Sequence, residues 1–239
     1  MKMPEISLPD GIITRFGKTA DQVAADLAET VADTLMSRLQ NASRASLVVS
    51  GGSTPIPFFK LLAEKVLNWS RVDVLLADER WVDETDTASN TRLVKEHLLQ
   101  GQAGAARFLS IKQPGATPSE GLLAVKSELK KLTLPLDVLI LGMGNDGHTA
   151  SLFPDAPELE RALDPENTEM VTPMTPPSQP HKRITLTWSS MCNARFIALH
   201  LKGQDKLSTL EQALTDIQNV NAMPVRKFLR SGLEVFWSP

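Results

Sequence analysis

Apolar positions along this chain alternate between two spacings. After Thr19, the residues Ala24, Leu27, Ala28, Val31, Leu35 and Leu39 recur three or four apart, the repeat that lays one stripe of a helix against a core. Thr19 and Gln22 form a capping box, in which a side-chain oxygen and a side-chain amide satisfy free backbone donors. The spacing predicts a helix running to about Leu39. Elsewhere the apolar residues are contiguous. Ser46–Ser50 (SLVVS), Val72–Ala77 (VDVLLA), Asp137–Leu141 (DVLIL), Arg183–Thr187 (RITLT), Arg195–Leu201 (RFIALHL) and Leu233–Trp237 (LEVFW) are short runs that read as strands. Helical patterns lie between them at Pro55–Leu67, Thr87–Leu99, Ser119–Leu132 and Lys206–Leu214. Pro55 suits a first turn, where its missing N–H has no partner to lose.

Short apolar strands separated by helices predict an α/β fold with a mostly parallel central sheet covered on both faces. The chain shows no internal repeat, and residues 1–239 read as a single domain. Pro173–Pro180 (PMTPPSQP) reads as a stiff connecting loop rather than a boundary, because strand-like segments continue after it. Ligands of parallel sheets bind beyond the C-terminal ends of the strands. Three strand ends here carry polar clusters: Gly51–Thr54, Asp78–Asp83 and Gly142–His148.

Composition narrows the classes of function. Of 239 residues, 42% are apolar and 22% charged, with a formal net charge of −3. That balance gives no support for a nucleic-acid partner. The single cysteine, Cys192, excludes an intramolecular disulfide and fits a reducing compartment; on its modest apolar segment it reads as a small buried hydrophobe. Met1-Lys2-Met3-Pro4-Glu5 lacks the pattern of a secretory signal. No apolar run approaches the ~20 residues that span a bilayer. A cytoplasmic location without membrane attachment is the expectation.

In the first cluster, Gly51-Gly52 allows a tight turn and close approach of a ligand. Ser53 and Thr54 place hydroxyls at a helix start, where free N–H groups and the helix dipole favour an anion such as phosphate. The same residues could simply cap the helix. They make neither a P-loop nor a nucleophile elbow. In the second cluster, Arg80 could fork onto a phosphate, and Asp78 could accept from sugar hydroxyls or orient a histidine. A solvated loop with internal ion pairs is the plainer alternative.

The third cluster, Leu141-Gly142-Met143-Gly144-Asn145-Asp146-Gly147-His148-Thr149, contains the Gly-x-Gly-x-x-Gly of a dinucleotide site. An NAD-dependent oxidoreductase using Gly142–Gly147 is therefore one reading, with Asp164 near the spacing for a ribose-binding acid. Against it, the motif follows at least the third strand rather than the first. Pro154 and Pro157 interrupt the helix expected next. An imidazole and a carboxylate also occupy the turn where a pyrophosphate needs bare backbone. The other reading is an acid–base loop, in which the flanking glycines let a substrate carbon approach His148. His97, His181 and His200 lie far apart and no His-Glu-x-x-His occurs, so metal catalysis has little support.

Together, Gly51-Gly52-Ser53-Thr54-Pro55, Asp78-Glu79-Arg80, Ser89-Asn90, Leu141–Pro154 (LGMGNDGHTASLFP), Arg183–Thr187 and Gly203-x-x-Lys206 resemble the 6-phosphogluconolactonase family in order and content. The resemblance spans about residues 20–215. It implies a three-layer α/β/α, modified Rossmann-like fold of the sugar-phosphate isomerase/CoA-transferase type. It also implies hydrolysis of 6-phospho-D-glucono-1,5-lactone without a cofactor. The implied catalytic residues are His148, as general base, and Asp146, which would tune His148 or bind substrate. The implied substrate-binding residues are Gly51, Gly52, Ser53, Thr54, Asp78, Arg80, Gly144, Arg183 and Lys206. Arg183 precedes a strand and would join the phosphate site or touch the sugar, unless it is a surface charge. The related glucosamine-6-phosphate deaminases share the loop but carry a glutamate just before its proline, where this chain has Phe153. A non-catalytic sugar-phosphate sensor is a further alternative, against which the Asp146–His148 pair argues. Oligomeric state is not legible.

Overall fold

The computed structural model describes residues 6–239; the Met1–Glu5 stretch read for a secretory signal lies outside them. The chain folds in the order β1 (Ile13–Phe16), α1 (Ala20–Asn41), β2 (Ala45–Val49), α2 (Ile56–Ala63), β3 (Val72–Leu76), β4 (Asp78–Arg80), α3 (Asn90–His97), β5 (Arg107–Leu109) and α4 (Pro118–Leu129). It continues through β6 (Val138–Leu141), α5 (Leu159–Leu163), β7 (Val171–Met174), β8 (Arg183–Leu186), α6 (Trp188–Met191), β9 (Phe196–Lys202), α7 (Gln204–Leu214) and β10 (Leu233–Ser238). Seven strands form one parallel sheet in the order β1-β10-β9-β6-β2-β3-β5. Every residue of β2, β3 and β6 is buried. Both faces of the central strands are therefore covered by helices, which is why these strands are apolar without alternation. This is the expected α/β/α arrangement.

Helix α1 begins as its sequence dictates. Thr19 accepts the N–H of Gln22, and Gln22 returns a bond to the Lys18 N–H. Its buried residues are Val23, Ala24, Leu27, Ala28, Val31, Ala32, Leu35 and Leu39, the stripe set by the spacing.

Several expectations need correction. The RITLT run is not part of the parallel sheet. It is β8, the middle strand of a second, antiparallel sheet ordered β4-β8-β7. Asp78–Arg80 is strand β4 of that sheet, not a solvated loop. Pro173 opens no loop: it lies inside β7, opposite Ile184, and an edge strand tolerates a residue without an N–H. Helix α2 ends at Ala63, short of Leu67, and α3 begins at Asn90, where Ser89 caps the Arg92 N–H. Cys192 is half-buried rather than enclosed.

Ala77 joins the two sheets. Its N–H bonds to the Val49 carbonyl at 2.9 Å, and its carbonyl accepts the Leu186 N–H at 2.8 Å. The small sheet is thereby fastened beyond the C-terminal end of β3. The winding of the large sheet also reverses here. From β2 the chain runs outward through β3 and β5, then returns to lay β6 on the other side of β2. The crevice between β2 and β6 is where a ligand is expected in such a sheet.

Candidate active site

A cavity of about 300 Å³ opens at that crevice. Its walls include Gly51, Gly52, Ser53, Thr54, Asp78, Arg80, Gly144, His148, Arg183 and Lys206. Asp146 is the one predicted site residue that reaches the cavity only through another side chain, His148. The loop after β6 explains how. Asp146 Oδ1 accepts from His148 Nδ1 at 2.5 Å and from the His148 backbone N–H at 3.0 Å. Burial works to raise the Asp146 carboxyl, but the hydrogen bond and charge of His148, with the backbone N–H, outweigh it and hold the group below its ordinary value. An ionised acceptor on Nδ1 leaves Nε2 as the ring's free, basic nitrogen. The face of the ring is held as well: it stacks on Phe153 with centroids 4.0 Å apart and planes 26° apart.

Gly144 makes room for this ring. A Cβ there would stand 2.1 Å from both Nδ1 and Cε1 of His148. The same observation bears on the dinucleotide reading, since the backbone a pyrophosphate would need is covered by an imidazole. The next helix, α5, begins only at Leu159 and spans five residues, so no long helix follows the glycines to offer its dipole. Asp164 lines a separate surface recess with Lys227, away from this cavity.

The opposite wall suits an anion. The start of α2 has no side-chain cap, which leaves the Ser53 and Thr54 hydroxyls free. Among the described residues, the N–H groups of Gly51, Gly52, Ser53 and Thr54 donate to no backbone acceptor. Arg80 is half-committed: one terminal nitrogen donates to the Ala88 carbonyl at 2.6 Å and Nε is sealed without a partner. The two-toothed fork expected of it is therefore reduced. Arg183 is no surface charge. It is 6% exposed, donates to Gln179 Oε1 at 2.8 Å, lies 3.9 Å from Asp78 Oδ2, and has an unpartnered, sealed Nε. Its guanidinium also rests over Phe153 at 5.2 Å. Asp78 is buried and accepts from Ser151 Oγ at 2.5 Å, so it braces the β6 loop against β4 while forming cavity wall.

Lys206 stands in the first turn of α7 and donates to Asn145 Oδ1. That turn is fixed from the far end of the chain. The Gly203 N–H bonds to the Ser238 carbonyl at 2.8 Å, and Trp237 Nε1 donates to the Gly203 carbonyl at 2.9 Å.

Sequence reasoning assigned no site role to three wall residues, Asn90, Lys202 and His200, although the Ser89-Asn90 pair carries part of the resemblance. Asn90 donates to the Asp78 carbonyl at 3.1 Å, and its Oδ1 would lie 1.9 Å from a Cβ on Gly51, so it presses the glycine turn into shape. Its only signal is the Ser89-Asn90 pair at a helix start. His200 and Lys202 are polar residues within an otherwise apolar strand, which is the signal that was available for them.

A family model described as "Glucosamine-6-phosphate isomerases/6-phosphogluconolactonase" matches residues 18–237. A 6-phosphogluconolactonase of Pseudomonas aeruginosa is 46% identical over 239 residues, all of both chains. One from Pseudomonas putida is 41% identical, covering all of this chain and 98% of its own. Among solved structures, a 6-phosphogluconolactonase from Shewanella baltica superposes with a TM-score of 0.93 at 42% identity, covering 98% of this chain and all of the other. With Asp146, Gly144 and His148 set in one loop across a cavity from an uncapped helix start, the chain belongs to the glucosamine-6-phosphate isomerase/6-phosphogluconolactonase family.

Proposed function

We infer that this chain is a hydrolase that opens 6-phospho-D-glucono-1,5-lactone to 6-phospho-D-gluconate in the oxidative pentose phosphate pathway. The relatives support the reaction; the observation that carries the mechanism is the His148 ring. It is fixed at Nδ1 by Asp146 and on one face by Phe153, within the cavity that also holds the Gly51–Thr54 turn.

His148 Nε2 takes a proton from water as the oxygen attacks the lactone C1 carbonyl. The tetrahedral intermediate collapses with cleavage of the bond from C1 to the ring oxygen, which receives the proton back from the imidazolium. Asp146 keeps the tautomer correct and stabilises the charged ring between the two steps. Within the β6 loop the N–H groups of Gly144, Gly147 and His148 are already bonded, so these three do not serve the oxyanion. Gly51–Thr54, Arg80, Arg183 and Lys206 hold the phosphate. Their binding energy orients the ring for attack. Phe153 offers no carboxylate for the isomerase–deaminase reaction.

The test is hydrolysis of freshly made 6-phosphogluconolactone, corrected for its spontaneous opening. Wild-type protein should accelerate it, and His148→Ala should lower kcat by ~10²–10⁴-fold with the melting temperature retained. A variant as fast as wild type would remove the base assignment.

A further inference from the structure

His200 interrupts the apolar run of β9, and the mechanism above makes no use of it. The residue is 7% exposed and forms part of the cavity wall together with Lys202 and Lys206. Its ring meets Phe58, in the first turn of α2, edge-on, with centroids 6.2 Å apart and planes at 82°. Residues two apart on a strand share a face. His200 and Lys202 therefore occupy one wall, next to the helix whose start forms the anion cradle. Nδ1 is sealed from solvent and has no hydrogen-bond partner among the described residues.

A buried, unpartnered ring nitrogen is unfavourable, so the imidazole calls for a reason to be there. Burial alone pushes its pKa down to about 4, which leaves the ring neutral near pH 7, with one N–H donor and one bare nitrogen. Orphaned buried donors are rarer than under-satisfied acceptors. The sealed Nδ1 is accordingly the bare nitrogen, and the proton sits on Nε2.

We propose that His200 is a phosphate-binding residue, an uncharged imidazole that donates its Nε2–H to the phosphate held at the start of α2. A histidine that must be protonated to bind an anion loses its grip as the pH rises through neutrality. An uncharged donor does not, and it serves phosphate monoanion and dianion alike. It therefore complements the lysines and Arg183 without adding a further charge to a crowded cationic wall.

The inference rests on the lactonase reading for its substrate, so its test uses inorganic phosphate as the probe. In the full chain, His200→Leu should weaken phosphate binding, measured by calorimetry, by about tenfold or more, the value of one hydrogen bond to a charged group. KM for the phosphorylated lactone should rise by a similar factor, with kcat within about twofold of wild type. His200→Gln, which keeps a donor, should recover much of the loss. Unchanged phosphate affinity in His200→Leu, or a fall in kcat at constant KM, would overturn the assignment. A second measurement needs no variant. In nitrogen-15 spectra of the wild-type protein, the Nε2–H signal should shift on phosphate addition, and a signal that stays in place refutes the proposal even if His200→Leu does not fold. Because the phosphate calorimetry and the nitrogen-15 spectra are independent of turnover, an inactive wild-type protein would sink the lactonase reading alone.

Discussion

At the scale of single residues, the site is built by subtraction as much as by placement. Gly144 has no side chain, and the space this leaves is filled by the His148 ring. Gly144→Ala needs no unusual backbone angle, so its effect falls on the His148 ring and on Asp146 Oδ1, which would stand 2.6 Å from the new Cβ. The added methyl would displace the ring from Asp146 and Phe153 by a large fraction of an ångström. Since misplacement by about 1 Å can cost ~10²-fold in rate, kcat of Gly144→Ala should fall by about that factor, with KM and melting temperature close to wild type. Steady-state kinetics beside a thermal melt would check this, and an unaltered kcat would show that the ring tolerates another position. Residues of this kind are legible from sequence because glycines, a carboxylate and an imidazole directly follow an apolar strand. His200 is not legible in that way. It is one polar residue inside an apolar strand, a signal that names no role, and only the sheet reveals that its face meets a cavity. Asn90 is hidden for another reason: a helix start alone explains its residue type.

At the scale of elements, a buried carboxylate ties the small sheet to α3. Glu79, 1% exposed, accepts the N–H groups of Arg80, Asn90 and Thr91 at 2.7–2.8 Å and the hydroxyl of Ser89 at 3.3 Å. Burial raises its pKa, against the lowering effect of the backbone N–H groups. Glu79→Ala would leave three backbone donors without an acceptor, two at the start of α3 and one in β4. A loss of about 3 kcal/mol is expected, seen as a melting temperature lower by roughly 6–12 °C in a chain of this size. KM should rise too, because Arg80 and Asn90 flank the cavity from these same elements. A melt unchanged within 2 °C or so would mean that water replaces the carboxylate. The inner strands were legible because burial on both faces makes β2, β3, β6, β9 and β10 read as continuous apolar runs. The edge strands were not. Ile13–Phe16 is largely exposed, Arg107–Leu109 has three residues, and β4 is charged throughout. For β4 and β7, pairing with β8 rather than any apolar pattern makes the strand.

At the scale of the whole molecule, charge state and fold are coupled through His200. A histidine in the unfolded chain titrates near ~6.5, whereas in the fold burial lowers His200 to about 4. Between those values the unfolded chain binds the extra proton. The contribution of the neutral ring is therefore complete above pH ~6.5 and is lost as the pH falls towards 4, by on the order of 3 kcal/mol. Denaturant midpoints at pH 7 and pH 4.5 should fall more for wild type than for His200→Gln. Glu79, with its raised pKa, slopes the other way but is common to both chains, so the difference isolates His200. Parallel losses in the two proteins would show that the ring is not protonated on unfolding in this range.

The fastening of Gly203 by Trp237 and Ser238 gives the C-terminal strand a task remote from its own position in the sheet. Lys206 stands only one helical turn from that fastening, so the reach of a cavity-wall lysine is set by residues outside that wall. Trimming the chain before Trp237 should spare the β6 loop while letting the first turn of α7 drift, and affinity for the phosphorylated sugar should decline ahead of turnover.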